Sequence, residues 1–153
     1  MKNPPAGWPR VSACIYYDDP AAAIDWLCRA FGFEVRVKVE GEGGRIEHSE
    51  LVFGGGLVMV GGTDRADAGR EGYQRQHVSP RALGGGNTQS LAVFVDDVDA
   101  HCARARAAGA EVFREPATDD YGEEFWADRT YGARDPEGHH WWFMQRIRDQ
   151  KGA

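Results

Sequence analysis

The chain repeats one pattern of residues in its two halves, and this repeat constrains the fold more than any other feature of the sequence. The segment VSACIYYDDPAAAIDWLCRAFGFEV in the first half matches TQSLAVFVDDVDAHCARARAAGAEV in the second. At one constant offset, Asp19 falls on Asp96 and Gly32 falls on Gly109. Each copy begins with a short β-prone run, crosses an Asp-rich turn and enters a helix. The repeat therefore predicts two modules of the same fold.

The helix of each copy has its own start and stop signals. In the first copy, Asp19 is a good N-cap and Pro20 occupies the first helical position, where its missing N–H costs nothing. Gly32 and Gly109 are typical of a left-handed residue that ends a helix. Apolar residues at helical spacing predict the buried side of each helix. These are Ile24, Leu27, Cys28 and Phe31 in the first copy, and Val98, Cys102 and Ala105 in the second.

Three strand-like runs follow each helix, so each half reads as βαβββ. The turns between them contain Gly43-Gly44, Gly54 to Gly56 and the segment Asp135-Pro136-Glu137-Gly138. We predict one domain over residues 1–153, with module 1 at about 11–62, a linker at 63–87 and module 2 at about 88–146. A linker of this length without periodicity is either a lid over a site or a plain tether.

Composition restricts the class of protein. Lys and Arg number 18 against 24 Asp and Glu, and this net charge of −6 disfavours a nucleic-acid or anionic-membrane partner. No apolar run is long enough for a transmembrane helix, and the first ten residues contain no hydrophobic segment of a secretory signal. The 3 cysteines have no CxxC spacing, which favours reduced thiols. We therefore expect a soluble, cytoplasmic protein.

Four stretches together resemble the vicinal oxygen chelate superfamily, which contains glyoxalase I, the bleomycin-resistance proteins and the extradiol dioxygenases. They are DDPAAAIDWLCRAFGFE, HSELVFGGGLVMVGG, VDDVDAHCARARAAGAEV and the closing YGARDPEGHHWWFMQ. The resemblance implies an α+β fold in which two βαβββ modules form a curved, cup-shaped mixed sheet with helices on its outer face. It also implies a homodimer, because many relatives form dimers and several assemble their cavities across the dimer interface.

The resemblance also locates the positions where metal-using members carry their ligands, on the first and last strands of each module. Those members use His, Gln or Glu, whose nitrogen and oxygen atoms suit Zn, Ni, Fe or Mn. An indole is not a metal ligand, and neutral hydroxyls bind such ions poorly. We therefore expect no metal and no other cofactor. The corresponding residues of this chain are Ser12 and Ser90 on the first strands, and Met59 and Trp142 on the last.

Strand alternation predicts the lining of the cup. If the serines of the first strands face inward, the cup is apolar and aromatic with a few polar atoms, as small-molecule pockets are. The alternative is that the same residues fill a collapsed core. The orientation of Trp126 and Tyr131 stays open. The predicted ligand-binding residues are Ser12, Tyr16, His48, Glu50, Met59, Ser90, Phe94, Trp126, His140, Trp142 and Met144.

His48 and Glu50 are the polar pair with the clearest chemical potential. Leu51 and Phe53 alternate as a helix-facing set, which leaves His48 and Glu50 together on the other face. A carboxylate beside an imidazole can fix its tautomer or charge for general acid/base work. The alternative is a solvated cross-strand pair near an edge.

The remaining candidates receive structural interpretations. We predict that His77, in the linker, and His101, on a helix, are surface residues. Of His139 and its neighbour His140, at most one can reach the cup because consecutive strand residues face opposite ways. Asp135 is expected to serve turn geometry. Cys14 could act as a nucleophile, but no histidine is placed beside it by the pattern, which favours a small buried thiol.

Two function classes follow. The first is a metal-independent protein that binds a small aromatic or antibiotic-like molecule, as bleomycin-type resistance proteins do. The second is a lyase or isomerase of the glyoxalase type, either metal-free or with displaced ligands, that uses His48 and Glu50. A third possibility is a paralogue whose sheet serves assembly and binds no small molecule.

Overall fold

The computed structural model describes residues 2–63, 72 and 76–152. It confirms the α+β class, with one helix and four strands in each half. No helix in this described part is long and apolar enough to cross a membrane. The helices are α1 (Pro20–Phe31) and α2 (Val98–Ala107), and the strands are β1 (Ala13–Tyr17), β2 (Glu34–Glu40), β3 (Ile46–Phe53), β4 (Gly56–Gly62), β5 (Ser90–Phe94), β6 (Glu111–Asp120), β7 (Ala127–Arg134) and β8 (His140–Arg148).

Each module forms its own four-stranded mixed sheet. Sheet 1 has the strand order β1-β4-β3-β2, and sheet 2 has the equivalent order β5-β8-β7-β6. The first and last strands of each module are parallel, and the other neighbours are antiparallel. Both halves therefore have the predicted βαβββ topology. Because β1 and β5 each lie at the edge of a sheet, the described strands form two sheets and not one continuous sheet.

The helix signals in the sequence act as predicted. The Asp19 side chain accepts a hydrogen bond from the N–H of Ala22 at 3.0 Å and so caps α1. Gly32 ends α1 at φ 82, and its N–H donates to the carbonyl of Cys28 at 3.2 Å. Asp97 caps α2 in the same way. Because these contacts join residues that are close in the chain, both helices could be predicted from the sequence.

Both helices pack into one core that is shared by the two modules. Three residues of the predicted stripe of α1, Ile24, Leu27 and Phe31, are fully buried at 0% exposure, and the fourth, Cys28, is partly buried. The Phe31 ring lies 4.7 Å from the ring of Phe143 and 5.3 Å from that of Trp141, both on sheet 2. The helix-facing sides of the two sheets therefore contribute to the same core. The predicted α2 residues Val98, Cys102 and Ala105 are buried in it as well.

His101 lies inside this core, so the prediction that it is a surface residue was wrong. Its Nε2 donates to the carbonyl of Phe31 at 3.0 Å, which leaves Nδ1 to accept from the hydroxyl of Tyr131 at 2.6 Å. Burial lowers the pKa of His101. Position 101 completes the i, i+3, i+4, i+7 stripe of Val98, Cys102 and Ala105, so helical periodicity was compatible with burial. The sequence could not show the Phe31 carbonyl and the Tyr131 hydroxyl that satisfy a buried imidazole.

We expect the free energy of unfolding to fall at acidic pH because of His101. Its folded pKa lies below the unfolded value of about 6.5, so the unfolded chain binds more protons and stability falls as pH drops below that value. His101→Phe should remove this step and lower the free energy of unfolding at neutral pH by about 1–3 kcal/mol, since it orphans the Tyr131 hydroxyl. Urea unfolding at several pH values measures both effects. An unchanged pH dependence in the variant would contradict the assignment.

The turn between β7 and β8 connects the two modules through Asp135. This carboxylate accepts from the backbone N–H groups of Glu137 at 3.0 Å and His139 at 3.1 Å, which is the predicted turn role. Its Oδ2 also accepts from the Tyr17 hydroxyl at 2.7 Å and from the Trp141 indole N–H at 3.1 Å. Asp135 therefore links β1 of module 1 to β8 of module 2.

Glu137 extends this connection to α1. Its carboxylate accepts from the backbone N–H groups of Asp18 at 2.8 Å and Asp19 at 2.9 Å, where a negative charge also suits the start of a helix. The Ser79 hydroxyl donates to the same carboxylate at 2.6 Å. Much of the predicted linker at 63–87 lies outside the described residues, but its later part is held against module 2 by this bond.

Candidate functional site

Each sheet has one face against the helices and an opposite face, which we call its open face. On β1, Ile15 and Tyr17 are buried in the core, so Cys14 and Tyr16 point to the open face of sheet 1. Cys14 pairs with Met59 of β4, which therefore lies on the same face. By alternation, Ser12, just before β1, shares this side.

An aromatic stack covers one end of the open face of sheet 1. Tyr16 pairs with Gly61 of β4, and a Cβ at Gly61 would lie only 3.1 Å from Tyr16 Cε1. The tyrosine ring therefore lies across the glycine. On it stacks His77, with ring centroids 4.0 Å apart and an interplanar angle of 16°. His77 is half-buried, and it places this part of the linker on the open face.

Cys14 is exposed, so the prediction of a small buried thiol was wrong. The reason is that β1 is an edge strand and Cys14 points away from the helices. A cavity of about 530 Å³ lies beside it, and its lining includes Tyr16, His77 and His139 as well as Cys14. The His139 imidazole contacts the Asp135 carboxylate at 3.1 Å. Sequence alternation could not show these histidines, because both reach the cavity from distant segments.

His48 and Glu50 lie together on the open face of sheet 1, in contact with Arg36. His48 Nε2 is 2.9 Å from Glu50 Oε1, and Arg36 Nη1 is 3.2 Å from Glu50 Oε2. The Glu50 side chain is only 9% exposed, whereas that of His48 is 44% exposed. The arrangement is a buried carboxylate that orients an accessible imidazole. The bulge between Val35 and Val37 interrupts the alternation of β2, which is why the sequence did not indicate Arg36.

Trp142 lies on the open face of sheet 2 and has a framework of neighbouring side chains. Its strand partners are Ala92 on β5 and Gly132 on β7, and neither has a large side chain. The Phe113 ring meets it edge-on at 5.3 Å, and the Arg114 guanidinium lies 5.8 Å from its ring centroid. These contacts hold the indole in one place on an otherwise accessible surface.

Phe113 and Arg114 were not identified from the sequence. β6 shifts register at Arg114, so simple alternation does not assign the side of either residue. Gly132 is the one signal that could have suggested the arrangement, because a Cβ there would clash with the Phe113 ring. That glycine leaves the space in which the Phe113 ring approaches Trp142.

His140 is neutral and has one tautomer. Arg134 Nε donates to His140 Nε2 at 3.0 Å, and a guanidinium can only donate, so the proton of the imidazole is on Nδ1. Burial, followed by the charge of Arg134, lowers the pKa of His140. Its ring packs 4.9 Å from that of Phe113. His140 therefore presents an N–H donor beside the aromatic cluster.

The far end of the same open face is also aromatic. The Arg146 guanidinium lies 5.6 Å from the Phe94 ring and 5.7 Å from the Trp126 ring. Phe94 is 53% exposed. Met144 pairs with Phe94 across the β5–β8 ladder and shares its face. Of the two residues whose orientation was left open, Trp126 lies by this face, whereas Tyr131 is buried in the core.

The predicted ligand-binding residues are thus distributed over two sheets. Between their edge strands β1 and β5 runs a groove of about 720 Å³, lined by apolar residues that include Val11, Ala13 and Phe94. Sheet 1 carries Ser12, Tyr16, His48, Glu50 and Met59, and sheet 2 carries Ser90, Phe94, His140, Trp142 and Met144, with Trp126 beside it.

The positions that the resemblance assigns to metal ligands do not fit a divalent ion. Hydroxyls, a thioether and an indole occupy them, and none of these is the His, Gln or Glu that such a site needs. Within the described residues, no group of three or more His, Cys, Asp and Glu side chains is placed to hold a metal ion. The four positions are Ser12, Met59, Ser90 and Trp142.

Two βαβββ modules with paired cores and open sheet faces define the architecture of the glyoxalase-type folds. Residues 10–143 match the family model of the glyoxalase/bleomycin resistance protein/dioxygenase superfamily. The chain belongs to this superfamily.

Individual relatives agree with this assignment. An uncharacterized protein of Mycobacterium bovis is 33% identical over 141 residues, which cover 92% of this chain and 86% of the relative. The structure of TioX from Micromonospora sp. ML1 is similar at 33% identity and a TM-score of 0.64, with 89% of this chain and 98% of TioX covered. A superfamily protein from Nocardioides shares the fold at 18% identity and a TM-score of 0.60, with 95% and 87% covered.

Proposed function

We propose that this protein binds a small, planar, largely apolar molecule and does not transform it. The observation that carries the proposal is Trp142, an indole on the open face of sheet 2 that is held in place by Phe113 and Arg114. The resemblance assigns this position to a metal ligand in metal-using members. A fixed aromatic surface favours stacking with a flat molecule. The apolar and aromatic surroundings on both open faces support the same function.

We further propose that a second copy of the chain completes the binding cup. The edge strands β1 and β5 offer backbone groups that can pair with another chain. Apolar side chains beside them are exposed, with Val11 at 86% and Phe94 at 53%. In such a homodimer, the open face of sheet 1 from one protomer faces that of sheet 2 from the other. Sedimentation over a range of concentrations tests this proposal, and a monomer at high concentration would contradict it.

The binding proposal is tested by titrating planar aromatic compounds and following tryptophan fluorescence, after elemental analysis of the purified protein for metal. We expect saturable quenching by flat molecules and no dependence on added Zn, Ni, Mn or Fe. A tightly held, stoichiometric metal that the binding requires would contradict the proposal. So would the absence of binding by every planar compound tried.

The second candidate is a lyase or isomerase of the glyoxalase type, favoured by the 2.9 Å contact between His48 and Glu50. An accessible imidazole oriented by a carboxylate can move a proton. The hemithioacetal of methylglyoxal and glutathione is the probe, with thioester formation followed by absorbance.

His48→Gln separates these two functions. If the protein only binds, we expect no turnover of the hemithioacetal, and the variant should bind planar compounds with an affinity within about threefold of the wild type, because stacking does not use the imidazole. Turnover by the wild type that His48→Gln abolishes would establish the enzyme instead. Glu47→Gln is the matched control, because this neighbouring carboxylate on the same strand contacts Arg45 instead of His48.

A further inference from the structure

Two groups that can donate hydrogen bonds lie side by side on the open face of sheet 2, at one end of the β5–β8 ladder. They are the Nδ1–H of His140 and the hydroxyl of Ser90, and the two residues are cross-strand partners. No described residue forms a hydrogen bond with either group. Ser90 is exposed and His140 is partly exposed, so a molecule that lies on this face can reach both.

The contact with Arg134 fixes the direction of the His140 donor. Arg134 is the partner of His140 on β7, and its guanidinium donates to Nε2 at 3.0 Å. The two nitrogens of an imidazole point in nearly opposite directions, so the Nδ1–H is directed away from β7. On that side of β8 lies β5, where Ser90 is the residue beside His140. The N–H and the hydroxyl can therefore donate to the same atom of a ligand.

The charges near these two donors favour an uncharged acceptor. Arg134 is paired with the carboxylate of Glu111, and Arg114 with that of Asp119 at 2.6 Å, so both guanidinium charges are already balanced. An anionic group would lose hydration without gaining an unpaired positive charge, and the net charge of −6 also opposes its approach. A carbonyl oxygen has two lone pairs and no net charge, so it suits the two donors.

The spacing between His140 and Trp142 determines where the carbonyl lies on the ligand. The two residues are on the same face of β8 and two positions apart, which is about 7 Å along the strand. A hydrogen bond accounts for about 2.9 Å of this distance. The remainder matches a carbonyl group attached directly to a ring that stacks on the indole. Beyond Trp142, Met144 and the exposed Phe94 continue the same face and can contact further fused rings.

We propose that the ligand of sheet 2 is an uncharged aromatic carbonyl compound, such as an aryl ketone or a quinone, whose oxygen accepts hydrogen bonds from His140 Nδ1–H and the Ser90 hydroxyl while its ring stacks on Trp142. This inference rests on the proposed binding function and specifies the polar group of its ligand. Trp142 supplies the stacking surface, and the two donors distinguish carbonyl compounds from other flat molecules.

Three naphthalenes of nearly equal size are the probes. They are 2-acetylnaphthalene, which carries the carbonyl oxygen, 2-isopropylnaphthalene, which has a methyl group in place of that oxygen, and 2-naphthoate, which carries a carboxylate. Equilibrium dialysis measures their affinities for the wild-type protein and its variants. We expect the wild type to bind 2-naphthoate more weakly than the ketone. Because the hydrocarbon is the more hydrophobic compound, its affinity is compared between proteins and not with that of the ketone.

Two variants remove the donors one at a time. Ser90→Ala and His140→Phe should each lower the affinity for 2-acetylnaphthalene about three- to tenfold, the value of one neutral hydrogen bond. Both should leave the affinity for 2-isopropylnaphthalene within about twofold, since stacking on Trp142 is unchanged. Phenylalanine keeps a ring against Phe113 at position 140. The matched control is Thr118→Ala, which should change neither affinity.

Thr118 is a suitable control because its hydroxyl lies on the other side of the same sheet. It pairs with Arg129, whose guanidinium contacts Asp99 of α2 and so lies on the helix side. The variant therefore removes an exposed hydroxyl from sheet 2 without touching the open face.

The outcomes separate this inference from the function on which it rests. A ketone affinity that neither Ser90→Ala nor His140→Phe lowers, or equal losses for ketone and hydrocarbon, would overturn the carbonyl assignment while planar binding stands. Tighter binding of 2-naphthoate than of the ketone would overturn it as well. Ser90→Ala removes one exposed oxygen atom, so it decides the point even if His140→Phe fails to fold. No binding of any probe, nor of the wider planar set, would overturn both proposals.

Discussion

Asp135→Ala is expected to lower the free energy of unfolding by about 3–5 kcal/mol, a larger effect than that of any other substitution considered above. The carboxylate is fully buried and accepts from the Tyr17 hydroxyl, the Trp141 indole and two backbone N–H groups. Alanine leaves all of these donors inside the protein without an acceptor. Burial raises the pKa of Tyr17 well above its usual value, so its hydroxyl stays a donor throughout the accessible pH range.

The pH dependence of stability provides an independent check on Asp135. Burial alone would raise the pKa of this carboxyl, but the contact with His139 and the hydrogen bonds from Tyr17 and Trp141 outweigh it, and the net pKa is lowered. The Asp135 carboxyl therefore binds a proton more readily in the unfolded chain than in the folded protein. The stabilisation is complete above the unfolded pKa of about 3.9 and is lost as pH falls through the lower folded value.

Chemical denaturation of the wild type, Asp135→Ala and the control Asp149→Ala measures these effects. Asp149 is exposed near the end of the chain and pairs only with Arg146 among its described contacts, at 3.3 Å, so its loss should cost less than about 1 kcal/mol. As the pH is lowered into the acidic range, the free energy of unfolding should fall less steeply for Asp135→Ala than for the wild type. A cost for Asp135→Ala as small as that of the control would show that the turn does not join the modules.

Trp142→Ala is expected to have the largest effect on ligand binding, a loss of about 30-fold or more in affinity for a planar compound. The indole supplies the main stacking surface, and its removal also frees the Phe113 ring that meets it edge-on. Because Trp142 is only half-buried on the open face, the variant should keep its fold.

Calorimetric titration of one planar compound against both proteins makes this comparison. Trp26→Phe is a useful control, since Trp26 lies on α1 and its indole donates to the carbonyl of Ala108 at 2.8 Å, away from both open faces. It should change stability but not the affinity of the folded protein. If Trp142→Ala binds as well as the wild type, the ligand does not use sheet 2, and the proposed cup is wrong.

Sequence reasoning succeeded where the deciding interactions are short-range. Asp19 caps a helix through an N–H three residues away, and Gly32 ends it because a left-handed residue is needed there. The alternation of β1 and β5 likewise follows from the pleat of a single strand. Such features depend on neighbours in the chain, so one sequence is enough to find them.

Sequence reasoning failed where a residue's surroundings come from the other module or from a strand irregularity. The groups that satisfy the buried His101 imidazole come from Phe31 of α1 and Tyr131 of β7, and Cys14 is exposed because β1 is an edge strand. Arg36 and Phe113 reach the open faces next to register shifts in β2 and β6. Periodicity assumes a regular strand with known neighbours, and neither condition can be checked in the sequence.

The sequence by itself thus determined the repeat and the order of helices and strands. Only the tertiary structure decided which side chains share a surface, which buried polar groups are paired, and how Asp135 joins the modules across more than a hundred residues of chain. The physical reason is the range of the interactions. A helix cap or the alternation of a strand depends on residues only a few positions apart in the chain. The burial and hydrogen bonding of a side chain depend on segments that meet only when the two modules pack together.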